Sequence, residues 1–250
     1  MATTGLLIRV GVDSAEENGK WNAPCREGGT FCYLPVPCPD PSSRGRSFDH
    51  TCDEFWPFVA AMDVHWPAHL SGLCHLDPDF AHLSYGDGTK RNRRMREYLE
   101  PVGFIVFWAG MRCVETQKRI CSIIGFFRVA YIIDGSMIGP ADAHRNAHSR
   151  FLLSDSSEDV IVFAKPEFSG RLKKHIQIGE AMMHSGWTRA QQCIFPELLE
   201  EWGQVQNEDG SYVKNGYIQR SINPPIFVDP EKFEAWFFKQ KPRFIHANNA

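Results

Sequence analysis

The chain has 250 residues, a formal net charge of -3, and 43% apolar against 23% charged residues. That length can bury a core without covalent staples and fits one large domain or two small ones. The acidic balance excludes a uniformly basic nucleic-acid coat, though local basic patches stay open. Eight cysteines include no C-x-x-C pair, and no apolar run is long enough to span a bilayer. The opening MATTGLLIRVGVD has no basic region ahead of its apolar run, so a cytoplasmic protein with reduced thiols and no membrane partner is expected. Cys25, Cys32 and Cys38 are crowded, but their gaps exceed the usual zinc spacing, and they read as scattered small hydrophobes.

In chain order, Gly5–Val12 reads as a first strand, with Asp13 in the polar turn that follows. Phe31–Val36 reads as an edge-like strand closed by prolines, and residues 38–48 as a proline- and serine-rich loop. Thr51 and Glu54 have capping-box spacing, with Pro57 limiting the helix. The segment 62–88 is polar and irregular and holds His65, His69, His75 and His82. Long loops of this kind are uncommon and often functional. Thr89–Glu100 reads as a short helix carrying Lys90, Arg91, Arg93, Arg94 and Arg96 around a narrow apolar face.

The centre of the chain is two apolar runs, Phe104–Ala109 and Ile123–Ile133, split by a charged segment from Arg112 to Arg119. They read as paired strands covered on both faces, with Gly125 marking a bulge or a close backbone approach. Asp134–Ser149 is a loop, Asp159–Ala164 another strand, and Thr188–Trp202 helical in character. Near the end, Asp229 caps a helix with Pro230 at its first position, docked by Phe233, Trp236 and Phe237. With no internal repeat, the expectation is one α+β domain over 1–250. Its sheet would be bent and mixed, a partly closed barrel with peripheral helices.

Three clusters carry candidate chemistry. His75, Asp77 and Asp79 lie close together, with Asp87 closing the segment; carboxylates beside an imidazole can bind a divalent ion, share a proton or hold sugar hydroxyls. The plainer alternative is that Asp77-Pro78 starts a turn and Asp79 caps the next segment. In His144–His148 the i, i+4 spacing would place both imidazoles on one helical face, or else the segment is a polar loop. The basic clusters at 90–96 and 171–174 would attract phosphate, with Trp66, Trp108 or Phe168 available for stacking, unless they are solvated faces. There is no Walker loop, G-x-G-x-x-G fingerprint or G-x-S-x-G elbow, which removes most nucleotide-dependent ATPases, dinucleotide enzymes and α/β-hydrolases.

The ordered motifs GVD, GGTFCYLPVP, HLDPD, SYGD, GFIVFWAGMR, IIGFFRV, HRNAH and VIVFAKPEFSGRLKK resemble the nucleotide modification associated domain 3 family, over about residues 5–203. Residues 204–250 then read as a helical extension. The hairpin, with Ser169, Arg171, Leu172 and Ile176 after it, is also similar to PUA, ASCH and EVE domains. The resemblance implies a role in DNA-base or nucleotide modification, with nucleotide, DNA or partner enzymes as binding partners. The catalytic candidates are His75, Asp77, Asp79 and Asp87. The substrate-binding candidates are Asp13, Tyr85, Arg145, Asn146, His148, Ser169, Arg171 and Lys173. No resident metal is expected, and no cofactor is named. The alternatives are a non-enzymatic reader of modified bases and a scaffold of a modification complex.

Overall fold

The computed structural model describes residues 3–11, 22–37, 50–67, 70–88, 91–99, 103–150, 159–186, 188, 190–207, 209–213, 215–218 and 224–250. The elements before the central hairpin are β1 (Gly5–Arg9), β2 (Ala23–Cys25), β3 (Val36–Pro37), β4 (His50–Thr51), α1 (Trp56–Ala60), β5 (Leu73–His75), β6 (Ser84–Asp87) and α2 (Arg91–Tyr98). The hairpin is β7 (Phe104–Cys113) and β8 (Arg119–Asp134). After it come α3 (Ala147–Arg150), β9 (Val160–Ala164), β10 (Gly170–Met182), β11 (Gln191–Ile194) and α4 (Pro196–Glu201). The chain closes with β12 (Val205–Gln206), β13 (Ile226–Phe227), α5 (Pro230–Lys239) and β14 (Phe244–Ile245).

Among the described residues, eleven strands join one sheet whose main path runs β11-β10-β8-β7-β1-β13-β12. β1 lies parallel to β7, and β8 returns antiparallel beside it. β8 is long enough to pair twice: its first part with β7 and β10, its outer part with β9, which in turn carries β6. The path has two separate ends, β11 and β12, and no closed barrel is found among these residues. The mixed α+β architecture is therefore as expected, without the closure of a barrel.

Both faces of the hairpin are covered, because both alternating sets of its side chains are apolar. Ile105, Phe107, Ala109, Met111, Ile124 and Phe127 pack under Phe80, Tyr85, Met95 and Leu99. Phe104, Val106, Trp108, Ile123 and Phe126 pack under Trp202, Phe227, Phe233 and Phe237. Phe107 pairs with Gly125 but Trp108 with Ile123, which makes Ile124 the extra residue of a bulge. A Cβ on Gly125 would come within 2.3 Å of the Phe80 ring. The glycine thus marks both the bulge and the close approach read from the sequence.

The C-terminal helix forms as its pattern dictates. Asp229 accepts the Lys232 amide at 3.1 Å, Pro230 opens the first turn, and Phe233, Trp236 and Phe237 are buried. The capping box at Thr51 is also present, and α1 runs through Pro57 in its first turn. Other expectations need correction. Residues 191–194 are strand β11, because Cys193 and Ile194 are buried in register with β10, and helix begins only at Pro196. Phe31–Val36 is not a continuous strand; the edge pairing with β7 falls on Ala23–Cys25, which tolerates Pro24 as edge strands do. The irregular segment 62–88 holds two short strands, β5 and β6. Among the described residues of 204–250 there are three short strands besides α5, with β13 on β1 and β14 on β10. The loop 38–48 lies outside the described residues.

Candidate active site

β6 uses one edge to pair β9. At its other edge the Gly86 amide donates to Asp77 Oδ1 at 2.8 Å. Asn146 breaks the chain locally with an extended backbone (φ -154, ψ 145). Its side-chain amide bridges the Ser84 hydroxyl at 3.0 Å and Asp77 Oδ1 at 3.4 Å. Its side-chain oxygen accepts the His148 amide at 2.8 Å, which starts α3. The His148 ring is thereby set against β6, with Nε2 3.3 Å from Asp77 Oδ2 and Nδ1 2.7 Å from Asp159 Oδ2. His75 closes the cluster: its ring lies 4.7 Å from that of His148, and its Nε2 is 3.8 Å from Asp77 Oδ2. One donor atom from each of His75, Asp77 and His148 lies within 4.8 Å of the others, a spread that a single metal ion can bridge.

Missing side chains make this convergence possible. A Cβ on Gly86 would sit 2.6 Å from both Asn146 Oδ1 and His148 Cδ2, and one on Gly88 would sit 1.8 Å from Asp159 Oδ1. The Asp77 and His148 side chains are only 8% and 5% exposed and His75 is 23% exposed, but its Nε2, the atom that faces the cluster, is buried. Burial alone would push His148 down, but hydrogen bonds and charge from Asp159 and Asp77 outweigh it and lift the imidazole to about 9. Burial raises Asp77 above the usual carboxylate range, with His148 and the Gly86 amide opposing. Ionisable groups shifted by burial and by specific charged partners make this cluster a candidate functional site.

The remaining candidates divide. Asp79 is the turn residue of the plainer alternative. Its Oδ1 accepts the amides of Ala81 and His82 and the Asn248 side chain, and its Oδ2 meets His82 Nδ1 at 2.7 Å. Tyr85 and Asp87 join Arg91, which donates to the Tyr85 hydroxyl at 3.2 Å and to Asp87 at 3.4 Å, and the negative charge of Asp87 is felt at Asp77. Arg145 lies over the Phe163 ring at 4.3 Å, one residue from Asn146. His144 and His148 do not share a helical face, because the extended Asn146 separates them; the His144 ring meets that of His82 at 5.5 Å.

Ser169 and Arg171 are not brought to this cluster. The Ser169 hydroxyl accepts the Arg128 amide at 2.9 Å. Arg171 is buried, stacked 3.9 Å from Phe31 and donating to the Phe31 carbonyl at 2.6 Å, and burial pushes it down to about 10. Lys173 is exposed on β10, and Asp13 lies outside the described residues. The cationic helix is also used internally. Arg94 is buried over Tyr98, Arg96 pairs with Asp134, Arg93 with Glu97, and Arg91 with Asp87. Of the stacking candidates, Trp108 is buried, Trp66 is tied to the Leu70 carbonyl at 2.7 Å, and Phe168 is 55% exposed.

Asp159 was absent from the sequence candidates. Its one signal was a carboxylate heading the otherwise apolar strand β9, where burial demands a partner. Away from the cluster, Asn22, Asp63, His65, Arg112 and Gln117 border a cavity of about 240 Å³. It lacks the coupled acid–imidazole pairing seen at Asp77 and His148. No helix among the described residues is long and apolar enough to cross a membrane.

The model of one known family, nucleotide modification associated domain 3, matches residues 4–220. Neither the curated proteins nor the solved structures contain a match.

Proposed function

Because the chain belongs to the nucleotide modification associated domain 3 family, we propose that it acts on the base of a nucleotide or of DNA at the His75–Asp77–His148 cluster. The observation that carries this is the convergence of two distant segments on one buried, proton-linked acid–imidazole unit. A site that only recognises a base by stacking and hydrogen bonds has no need of it. In this reading the reacting group reaches the cluster beside His75, its least buried side chain. Asp77 and the imidazoles supply the chemistry, and Asp159 and Asn146 hold His148 in place. Arg145, His82 and His144 are the nearby cationic and imidazole groups for sugar or phosphate. Mass spectrometry of nucleosides from cells carrying the protein is the test. A modified nucleoside should appear with the unaltered chain and vanish with Asp77→Asn or His148→Gln, both of which keep side-chain volume. Unchanged product in both variants would remove the assignment.

A reader without turnover is the second reading, favoured by one feature. Tyr131 is 48% exposed and lies tilted against Phe163, centroids 5.0 Å apart, the ring that Arg145 covers. An exposed ring beside a guanidinium is a serviceable stacking platform for a base. Binding of modified oligonucleotides that survives Asp77→Asn but is lost in Tyr131→Ala would decide for it.

A further inference from the structure

We propose that His75 Nε2, Asp77 Oδ2 and His148 Nε2 form a three-ligand site for one divalent first-row transition ion of the Zn²⁺ or Fe²⁺ class. The inference deepens the proposed function and rests on it only for the site's purpose, not for the ion. Two imidazoles and one carboxylate are a donor set suited to borderline ions, whereas Mg²⁺ and Ca²⁺ favour all-oxygen shells. With metal–ligand bonds of about 2.0–2.2 Å, adjacent donors stand about 3–3.5 Å apart. Here His148 Nε2 is 3.3 Å from Asp77 Oδ2, inside that range. His75 Nε2, 3.8 Å from the same oxygen and in a set of three that lies within 4.8 Å, closes onto the ion by a small side-chain shift.

The outer layer is what a metal site requires. A ligating imidazole is aimed by a partner on its other nitrogen, and Asp159 Oδ2 holds His148 Nδ1 at 2.7 Å. A ligating carboxylate is held through its second oxygen, and Asp77 Oδ1 takes the Gly86 amide at 2.8 Å and the Asn146 amide at 3.4 Å. Both leave Asp77 Oδ2 and His148 Nε2 facing each other, 3.3 Å apart. His75 completes the donor set: its ring packs tilted against His148, and its Nε2 lies 3.8 Å from the same Asp77 oxygen. Three protein ligands leave at least one coordination position open for water or for the nucleotide.

The test uses the full chain after treatment with a chelator, titrated calorimetrically with Zn²⁺ and spectroscopically with Co²⁺. One ion per chain is expected, with Mg²⁺ binding at least about 100-fold more weakly. His75→Ala and His148→Gln should abolish the Co²⁺ absorption bands. Asp159→Asn, which touches no metal, should weaken Zn²⁺ by about 10–100-fold. Circular dichroism and thermal unfolding verify that each variant is folded, and His75→Ala, at a partly exposed position, is the safest of them. The absence of stoichiometric Zn²⁺ and Co²⁺ binding would overturn the proposal, as would binding that persists unchanged in folded His75→Ala. The nucleoside assay separates the two ideas. Modification that survives exhaustive chelation removes the ion and leaves the nucleotide reading. Stoichiometric binding through these three residues, with no modified nucleoside formed by the loaded protein, keeps the ion site and removes that reading.

Discussion

The two faces of the central hairpin are built on opposite terms. One is covered by α5 and α4 and is centred on a stack of aromatic rings among aliphatic side chains: Phe104 stacks on Phe126 and Phe233, with centroids at 5.3 and 5.6 Å, and Phe237 on Phe126 at 4.9 Å. The other is covered by loops and short strands and leads out, through β8, β9 and β6, to a cluster of two histidines and two aspartates. Apolar burial is non-directional and spreads over many contacts. The cluster depends on a few directed hydrogen bonds, each of which presupposes its partner. The aromatic face should therefore govern how stable the protein is, and the acid–imidazole face what it does.

The sharpest way to break this division is on the aromatic side. Phe233→Ala should cost about 3–5 kcal/mol of unfolding free energy, read by urea or thermal denaturation, while leaving the site's chemistry per folded molecule intact. A loss below about 1 kcal/mol would show that the aromatic stack does not dominate stability. On the other face, Gly86→Ala forces a Cβ into Asn146 and His148. It should cost about 1–3 kcal/mol and, unlike Phe233→Ala, remove nucleoside modification and Zn²⁺ binding together. Asp79→Asn is smaller, about 1 kcal/mol, since it weakens a turn and the bond to Asn248. Modification should persist in it, separating Asp79 from Asp77 despite their spacing of two residues.

The smallest effect is a pH dependence on the rim of the first core. Burial depresses His175, opposed by its contact with the Arg26 carbonyl, so the folded state favours the neutral ring. Its contribution is full above the ordinary imidazole value of about 6.5 and is lost as pH falls through the lower folded value. Between pH 7 and 5, His175→Gln should therefore lose less stability than the unaltered chain. Equal slopes would mean that His175 is not held neutral by the fold.

These contrasts explain what could be read in the sequence. α5 was legible because Asp229, Pro230, Phe233, Trp236 and Phe237 are neighbours whose spacing states a cap and a stripe. The β7–β8 pair was legible for the same reason, down to the bulge beside Gly125. β11 was not, because its pairing with β10 overrides the local preference that Thr188–Trp202 suggested. At the site, Asp77, Asn146 and His148 stood out as residue types. That they meet depends on Gly86 and Gly88 letting two segments close on each other, and no local pattern expresses that. Asp79 and Arg171 show the converse. Their chemistry looked functional, yet Asp79 is consumed by its own turn and Arg171 by the Phe31 carbonyl and ring.

The central claim is that Asp77 and His148 act as one unit although they come from separate segments. A double-mutant cycle on unfolding free energy, with Asp77→Asn, His148→Gln and the pair, measures that directly and needs no substrate. A coupling of about 1–3 kcal/mol is predicted, as for groups in one buried network. Losses that simply add, to within about 0.3 kcal/mol, would contradict it.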